Sequence, residues 1–281
     1  PVPEGVPLML RTLFIEEART QAARNAAATG ACCLILLGFL GLWWLLADVA
    51  SLAFLMQLAS MVVIIAIPVV VMVQVAVEYW QSMYGQRGYL TMLIPMRGRV
   101  QFAAKSLYAC VVALVESAIC LGGLVAWFAV LAHSTGSTIG DVLRPVLWAI
   151  ETAGPGKTTL FVLIMLIGLF SLVIEVGAVM SIGGQGRFNH YGFGAPLIGL
   201  LLFYAVSQVL ALIAILFVPL SMDTATGDFT SQMMWPQFLE ALRTGAQPSV
   251  IGVGPAAVGP VLAVILAWWA VHAIEQHTSL R

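Results

Sequence analysis

The sequence predicts an all-α integral membrane protein with six transmembrane helices, and three observations carry that prediction. Of 281 residues, 61% are hydrophobic and only 9% are charged, whereas roughly a quarter of the residues in a soluble domain are charged. Six apolar runs are each long enough for the roughly 20 residues that a helix needs to cross the hydrocarbon core. The mean hydropathy of +1.00 agrees with both.

The chain opens on Pro1, so its start is expected to be trimmed. Between Val6 and Arg24, the apolar residues Leu10, Leu13, Phe14 and Ala18 recur at helical spacing against Arg11, Glu16, Glu17, Arg19 and Arg24. This is the pattern of an amphipathic helix over residues 6–25, expected to lie on the membrane surface. Its charges stand where the apolar region of a signal peptide would begin. The six spans are placed at 26–46, 53–77, 106–132, 160–182, 195–220 and 256–274. With no internal repeat or low-complexity linker, residues 1–281 read as one transmembrane domain.

Orientation follows from where the 12 lysines and arginines fall. With the amino terminus inside, nine are cytoplasmic: Arg11, Arg19, Arg24, Arg87, Arg97, Arg99, Lys105, Arg187 and Arg281. Arg144, Lys157 and Arg243 are left outside. That bias places both termini in the cytoplasm. The two longer outer loops carry helical patterning. Ile139, Val142, Leu143, Val146, Leu147 and Ile150, with Trp148 nearby, suit a short interfacial helix. A second runs from Trp235 and Pro236 to Gly245, started by proline and stopped by glycine. These helices either lid an exit path or cover the ends of the spans.

The stretch from Glu78 to Lys105 is the richest in basic residues. It contains Gly88, Tyr89, Leu90 and Thr91, three apolar residues, then Pro95. A glycine lets the chain turn out of the second span, Tyr89 and Leu90 offer apolar anchors, and Pro95 ends the element. The alternative is a shallow amphipathic helix in the inner interface. The segment GYLTMLIP, followed by Arg97 and Lys105, resembles the first cytoplasmic loop of the ATP-binding-cassette type-2 permeases, the membrane subunits of exporters. Ser181-Ile182-Gly183, the stretch from Tyr204 to Gln208 and the tail Thr278-Ser279-Leu280-Arg281 agree more loosely. Gln86 and Arg87 stand where the family often has acidic residues, and Leu93 replaces a common threonine.

That resemblance implies a short cytoplasmic coupling helix within residues 85–99, with Gly88, Tyr89, Leu90, Thr91, Pro95, Arg97 and Lys105 contacting a separate nucleotide-binding ATPase subunit. Arg187 and Phe188 in the second cytoplasmic loop join them. It further implies a second identical or related permease subunit, ATP and Mg bound by the partner with no cofactor in this chain, and a bacterial plasma membrane. Nucleic acid is not expected as a partner.

Within the spans, Glu116 and Glu175 stand deep in apolar runs, where an ionised carboxylate costs about 2.5–3.5 kcal/mol even on lenient scales. Each reads as part of a substrate cavity or proton site, or as a polar clamp between helices. Gln74, Tyr204 and Gln208 could line the same cavity or join helices by hydrogen bonds, Tyr204 and Gln208 sharing a face by their spacing of four. Trp43, Trp44, Trp268 and Trp269 suit an interfacial belt or the core. Cys32, Cys33, Cys110 and Cys120 fall in apolar runs, and His133, His190, His272 and His277 are scattered, so neither a metal site nor a catalytic set is expected. Gly154 to Thr159 (GPGKTT) mimics the end of a phosphate-binding loop. The full motif needs a glycine where Glu151 stands, and a preceding strand. A proton-driven secondary transporter and a non-transporting scaffold are the contrasting functional readings.

Overall fold

The computed structural model describes residues 5–85, 88, 97–224, 226–245 and 247–276. Its helices include six that are long and apolar enough to cross a membrane, the architecture of a multi-pass membrane protein. The chain divides into two compact units, Pro1–Pro155 and Gly156–Arg281.

The first unit is built on α1 (Gly5–Leu45), α2 (Ala50–Met83) and α3 (Gly98–Ser134), each packed on the other two. The amphipathic stretch is helical, but it is continuous with the first span rather than a separate surface helix. Local sequence favours this continuity, since Ala22, Ala23, Ala26, Ala27 and Ala28 are strong helix formers and no proline intervenes. With 41, 34 and 37 residues, these helices are about 50–60 Å long, against about 30 Å of hydrocarbon. They must project beyond the apolar layer.

Contacts fix the sense of the packing. Asn25 on α1 meets Tyr108 on α3, and Trp43 meets Trp127 with ring centroids 5.5 Å apart. Contact order therefore rises together along the two helices, so α1 and α3 run parallel and α2 returns between them. The apolar core has two parts. Val71, Val75, Tyr108 and Val112 pack with Phe14, Ala18 and Ala28 toward one end. Leu36, Leu40, Trp43, Ile64, Ile67 and Val130 form the other. Trp43 is thus a core residue, and Trp44, half exposed, stacks on His133 at 3.6 Å.

The helix α4 (Ile139–Gly183) contains both the expected short outer helix and the fourth span, broken at Gly154, where φ is 75°. Only glycine adopts that backbone at little cost, and the following Pro155 cannot donate to the helical ladder. The GPGKTT sequence thus belongs to this break and the helix after it. Lys157 is engaged by the loop ahead, with its Nζ 2.8 Å from Asp228 and 3.2 Å from the Thr226 carbonyl. The hydrogen bond from Lys157, helped by the Thr226 hydroxyl, holds the Asp228 carboxyl below its usual range.

A 3-10 turn, Gly186–Tyr191, leads to α5 (Gly194–Phe217). After it comes an element absent from the sequence reading, a small antiparallel sheet in the order β2-β1-β3. Its strands are β1 (Ser221–Asp223), β2 (Phe229–Thr230) and β3 (Val250–Gly252). Strands of two or three residues carry no readable alternation, which is why the pattern missed them. Between β2 and β3 lies α6 (Met234–Thr244), ended by Gly245 in the left-handed conformation as the glycine stop predicted. Gln237 of α6 accepts hydrogen bonds from the backbone of Ser249 and Val250, tying the helix to β3. The last helix is α7 (Pro255–Gln276), packed on α5.

The sheet sits on the end of α5 with no room to spare. A Cβ on Gly252 would lie 1.9 Å from the Ile215 carbonyl oxygen. Gly252→Ala is expected to destabilise the chain by about 1–3 kcal/mol or more, through forced backbone displacement. Thermal unfolding in detergent, followed by tryptophan fluorescence, checks this; an unchanged midpoint would show that the close approach carries no weight.

Candidate functional site

Along α1, Glu17, Gln21, Asn25 and Thr29 recur every fourth residue and so share one face. The packing of α3 and α2 encloses that face, and Gln21, Asn25 and Thr29 are all buried. At the projecting end, the Lys105 ammonium of α3 pairs with Glu17 and donates to Ser82 Oγ of α2 at 2.8 Å. Gln21 donates to the other Glu17 oxygen. Arg24 reaches Glu78 of α2 at 2.9 Å, and Asn25 Nδ2 donates to the Tyr108 hydroxyl at 3.0 Å. Deepest is Glu116, 3% exposed, whose Oε1 is 2.7 Å from Thr29 Oγ1.

From Glu17 to Thr29 this seam spans about 18 Å of helix. Its sequence of groups is ordered: ion pairs at the projecting end, amide and phenol in the middle, a carboxyl against a hydroxyl at the bottom. The two ion pairs consume Lys105, Arg24, Glu17 and Glu78. Glu116 has no ion-pair partner among the described residues, and its Oε2 accepts no hydrogen bond from them.

The residues singled out in the sequence fall as follows. Glu116 joins α3 to α1 through Thr29. Gln74, on α2, is half-buried. In the second unit, Glu175 is buried near Ser171, and a Cβ on Gly259 of α7 would come within 4.0 Å of its Oε1. That oxygen has no hydrogen-bond partner among the described residues. Tyr204 and Gln208 do share a face of α5, and both are exposed in the single chain.

Of the coupling residues, Tyr89, Leu90, Thr91 and Pro95 lie outside the described residues, as do Gln86, Arg87 and the tail from His277. Gly88 is buried, and its N–H donates to the Gly85 carbonyl at 2.9 Å. Arg97 is exposed and precedes α3 in extended conformation, while Lys105 is locked into the seam. Arg187 lies 4.6 Å above the Phe188 ring in the 3-10 turn. Among the described residues, no three His, Cys, Asp or Glu side chains gather as a metal site.

Sequence reading passed over Glu17, Gln21, Arg24, Asn25, Thr29 and Glu78 as site residues. The signal is present in the four-residue spacing on α1, but it crosses the boundary between the expected interfacial helix, 6–25, and the first span, 26–46, which splits the face in two. No protein-family model matches the chain, and no curated protein or solved structure matches it either.

A charge pair buried this far is cheap only while both members are present. Lys105→Met should lower stability by on the order of 3 kcal/mol, by leaving Glu17 unpaired, and adding Glu17→Leu should restore most of the loss. A double-mutant cycle on detergent-solubilised protein measures this. Additive losses would mean that the pair does not couple the helices.

Proposed function

We propose that this chain is the membrane permease subunit of an ATP-driven exporter of the ATP-binding-cassette type-2 kind. The observation that carries the reading is the GYLTMLIP segment, set among arginines in the connection between the second and third of six membrane-crossing helices. The proposal rests on that motif and on the span order. In it, Gly88 to Pro95 docks a separate nucleotide-binding subunit, which holds ATP and Mg. Arg97 flanks the docked element, and Arg187 with Phe188 forms a secondary contact.

The seam supports this role physically. Lys105 lies one helical segment beyond the loop and is pinned to Glu17 and Ser82. A push on the loop would therefore pass to all three helices of the first unit, where a lone helix would merely bend. Tyr204 and Gln208 are exposed on α5 in the single chain, and in this reading they face a second permease subunit or the substrate path. With few charges along that path, hydrophobic or amphipathic substrates fit best. The membrane is a bacterial plasma membrane, with both termini in the cytoplasm.

Two experiments test the reading. Changing Tyr89 to Ala and Leu90 to Asp together should release the ATPase subunit from the purified complex while the permease stays inserted. Full retention of the ATPase together with ATP-driven transport would remove this loop from the coupling role. Separately, a reporter fused after Lys105 should be cytoplasmic and one fused near Gly136 outside, since positive charge concentrates on the first side. The opposite pattern would overturn the proposed orientation.

A further inference from the structure

After α3 ends at Ser134, the chain turns and begins a second, shorter helical stretch, residues 139–153, which stops at the break at Gly154. Gly136 makes the turn with φ at 65°, a conformation that glycine adopts at little cost. Thr138 and Asp141 then open the new stretch. The Thr138 hydroxyl donates to Asp141 Oδ2 at 2.7 Å, and the Asp141 N–H donates to Thr138 Oγ1 at 3.3 Å, which satisfies one of the N–H groups that a helix start leaves free. At about 1.5 Å per residue the stretch is about 22 Å long, against about 30 Å of hydrocarbon, so it is too short to cross a membrane.

Its side chains divide between two faces. At about 100° of turn per residue, Ile139, Val142, Leu143, Val146, Leu147 and Ile150 fall within a sector of about 140°. Asp141, Arg144, Glu151 and Thr152 fall on the other side, and Trp148 stands among them, about 180° from Ile139. Trp148 therefore does not belong to the apolar face that its sequence neighbours form. Val142 and Leu143 are half-buried in the chain, but Ile139, Val146, Leu147 and Ile150 are 41–50% exposed, and Trp148 is 65% exposed. An apolar stripe of this length left facing water would be unfavourable and calls for a cover. It is broader than the seam through which two helices pair, and matches a helix half sunk in an apolar medium.

We infer that residues 139–153 lie along the membrane surface, with the stripe from Ile139 to Ile150 sunk among phospholipid acyl chains and Trp148 turned to water. Two tethers hold the stretch at that depth. Residues 135–138, which reach about 14 Å at most, join it to the end of α3, where His133 stacks on the half-exposed Trp44 as aromatic rings do at a membrane boundary. Residues 154–159 then lead directly to Leu160, where the fourth apolar run begins. The polar face carries no excess of positive charge, since Arg144 pairs with Asp141 at 3.2 Å and Glu151 adds a negative charge. Burial of the stripe, rather than attraction to anionic headgroups, thus holds the stretch, and zwitterionic phospholipid suffices. The inference needs neither an ATPase subunit nor the proposed orientation, because the tether to α3 keeps the stretch on whichever side His133 occupies.

Spin-label accessibility in phosphatidylcholine nanodiscs tests it, on the full chain with Cys32→Ala, Cys33→Ala, Cys110→Ala and Cys120→Ala as background. Labels at Val146→Cys and Ile150→Cys should be relaxed several-fold more by oxygen than by a water-soluble nickel chelate, and labels at Arg144→Cys, Trp148→Cys and Glu151→Cys should show the reverse. Equal nickel access at all five positions would place the stretch in water. Protection of Val146→Cys and Ile150→Cys from both reagents would place a protein against the stripe. Either result overturns the inference. Should the cysteine-free chain fail to insert, a benzophenone amino acid placed at Leu147 of the chain with its native cysteines replaces the labels. Irradiation should then add the mass of one phospholipid, and a crosslinked pair of chains or no adduct at all would overturn the inference.

Discussion

A polar group buried between helices has lost its water and must find a partner there, and this constraint organises the first unit. Helices α1, α2 and α3 outrun the apolar layer and carry polar groups on the faces they turn toward one another. Each group must be met from a neighbouring helix. Lys105 answers Glu17, Glu78 answers Arg24 and Tyr108 answers Asn25. Because each bond joins two helices, the seam fixes the register of the bundle far more tightly than leucine and valine packing could. Apolar contacts are nondirectional and tolerate sliding, whereas a hydrogen bond between buried groups is lost within an ångström.

The second unit solves a different problem. The connection from α5 to α7 is long, residues 218–254, and it is gathered into a small sheet seated on the end of α5. Gly252 allows the backbone to lie against Ile215. Gln237 gathers the loop by accepting from Ser249 and Val250, and Lys157 fastens the hairpin through Asp228. These are local, directional contacts between polar groups, as suits a segment outside the hydrocarbon.

The same polar contacts bear on function. The coupling loop proposed for this chain would need a rigid seat, and the pairing of Lys105 with two other helices offers one at the start of α3. Glu116 is the exception to the pairing rule of the seam, a buried carboxyl with a hydroxyl for company and no cation among the described residues. A polar group left short of partners in a low-dielectric interior is costly, which marks this position as the weakest link in the polar packing of the seam.

Much of the architecture was legible in the sequence because the membrane imposes a strong signal: six long apolar runs fall in six long helices, and the glycine stop of α6 stands where it was expected, although α1 and α4 begin well before their apolar runs. These depend on hydropathy and local backbone preference, which neighbouring residues carry by themselves. The role of the amphipathic face of α1 was not legible. Glu17, Gln21, Asn25 and Thr29 give the same helical periodicity whether the face meets water or two other helices, and only the packing of α2 and α3 distinguishes the cases. Thr29 opposite Glu116, 87 residues apart, is a pairing that periodicity cannot reveal, and the two-residue strand β2 has too few positions to show a pattern. Composition and hydropathy determined that the chain has six segments apolar enough to cross a membrane; tertiary contact decided which of its polar residues are partners, because partnership depends on distances between helices that no local spacing encodes.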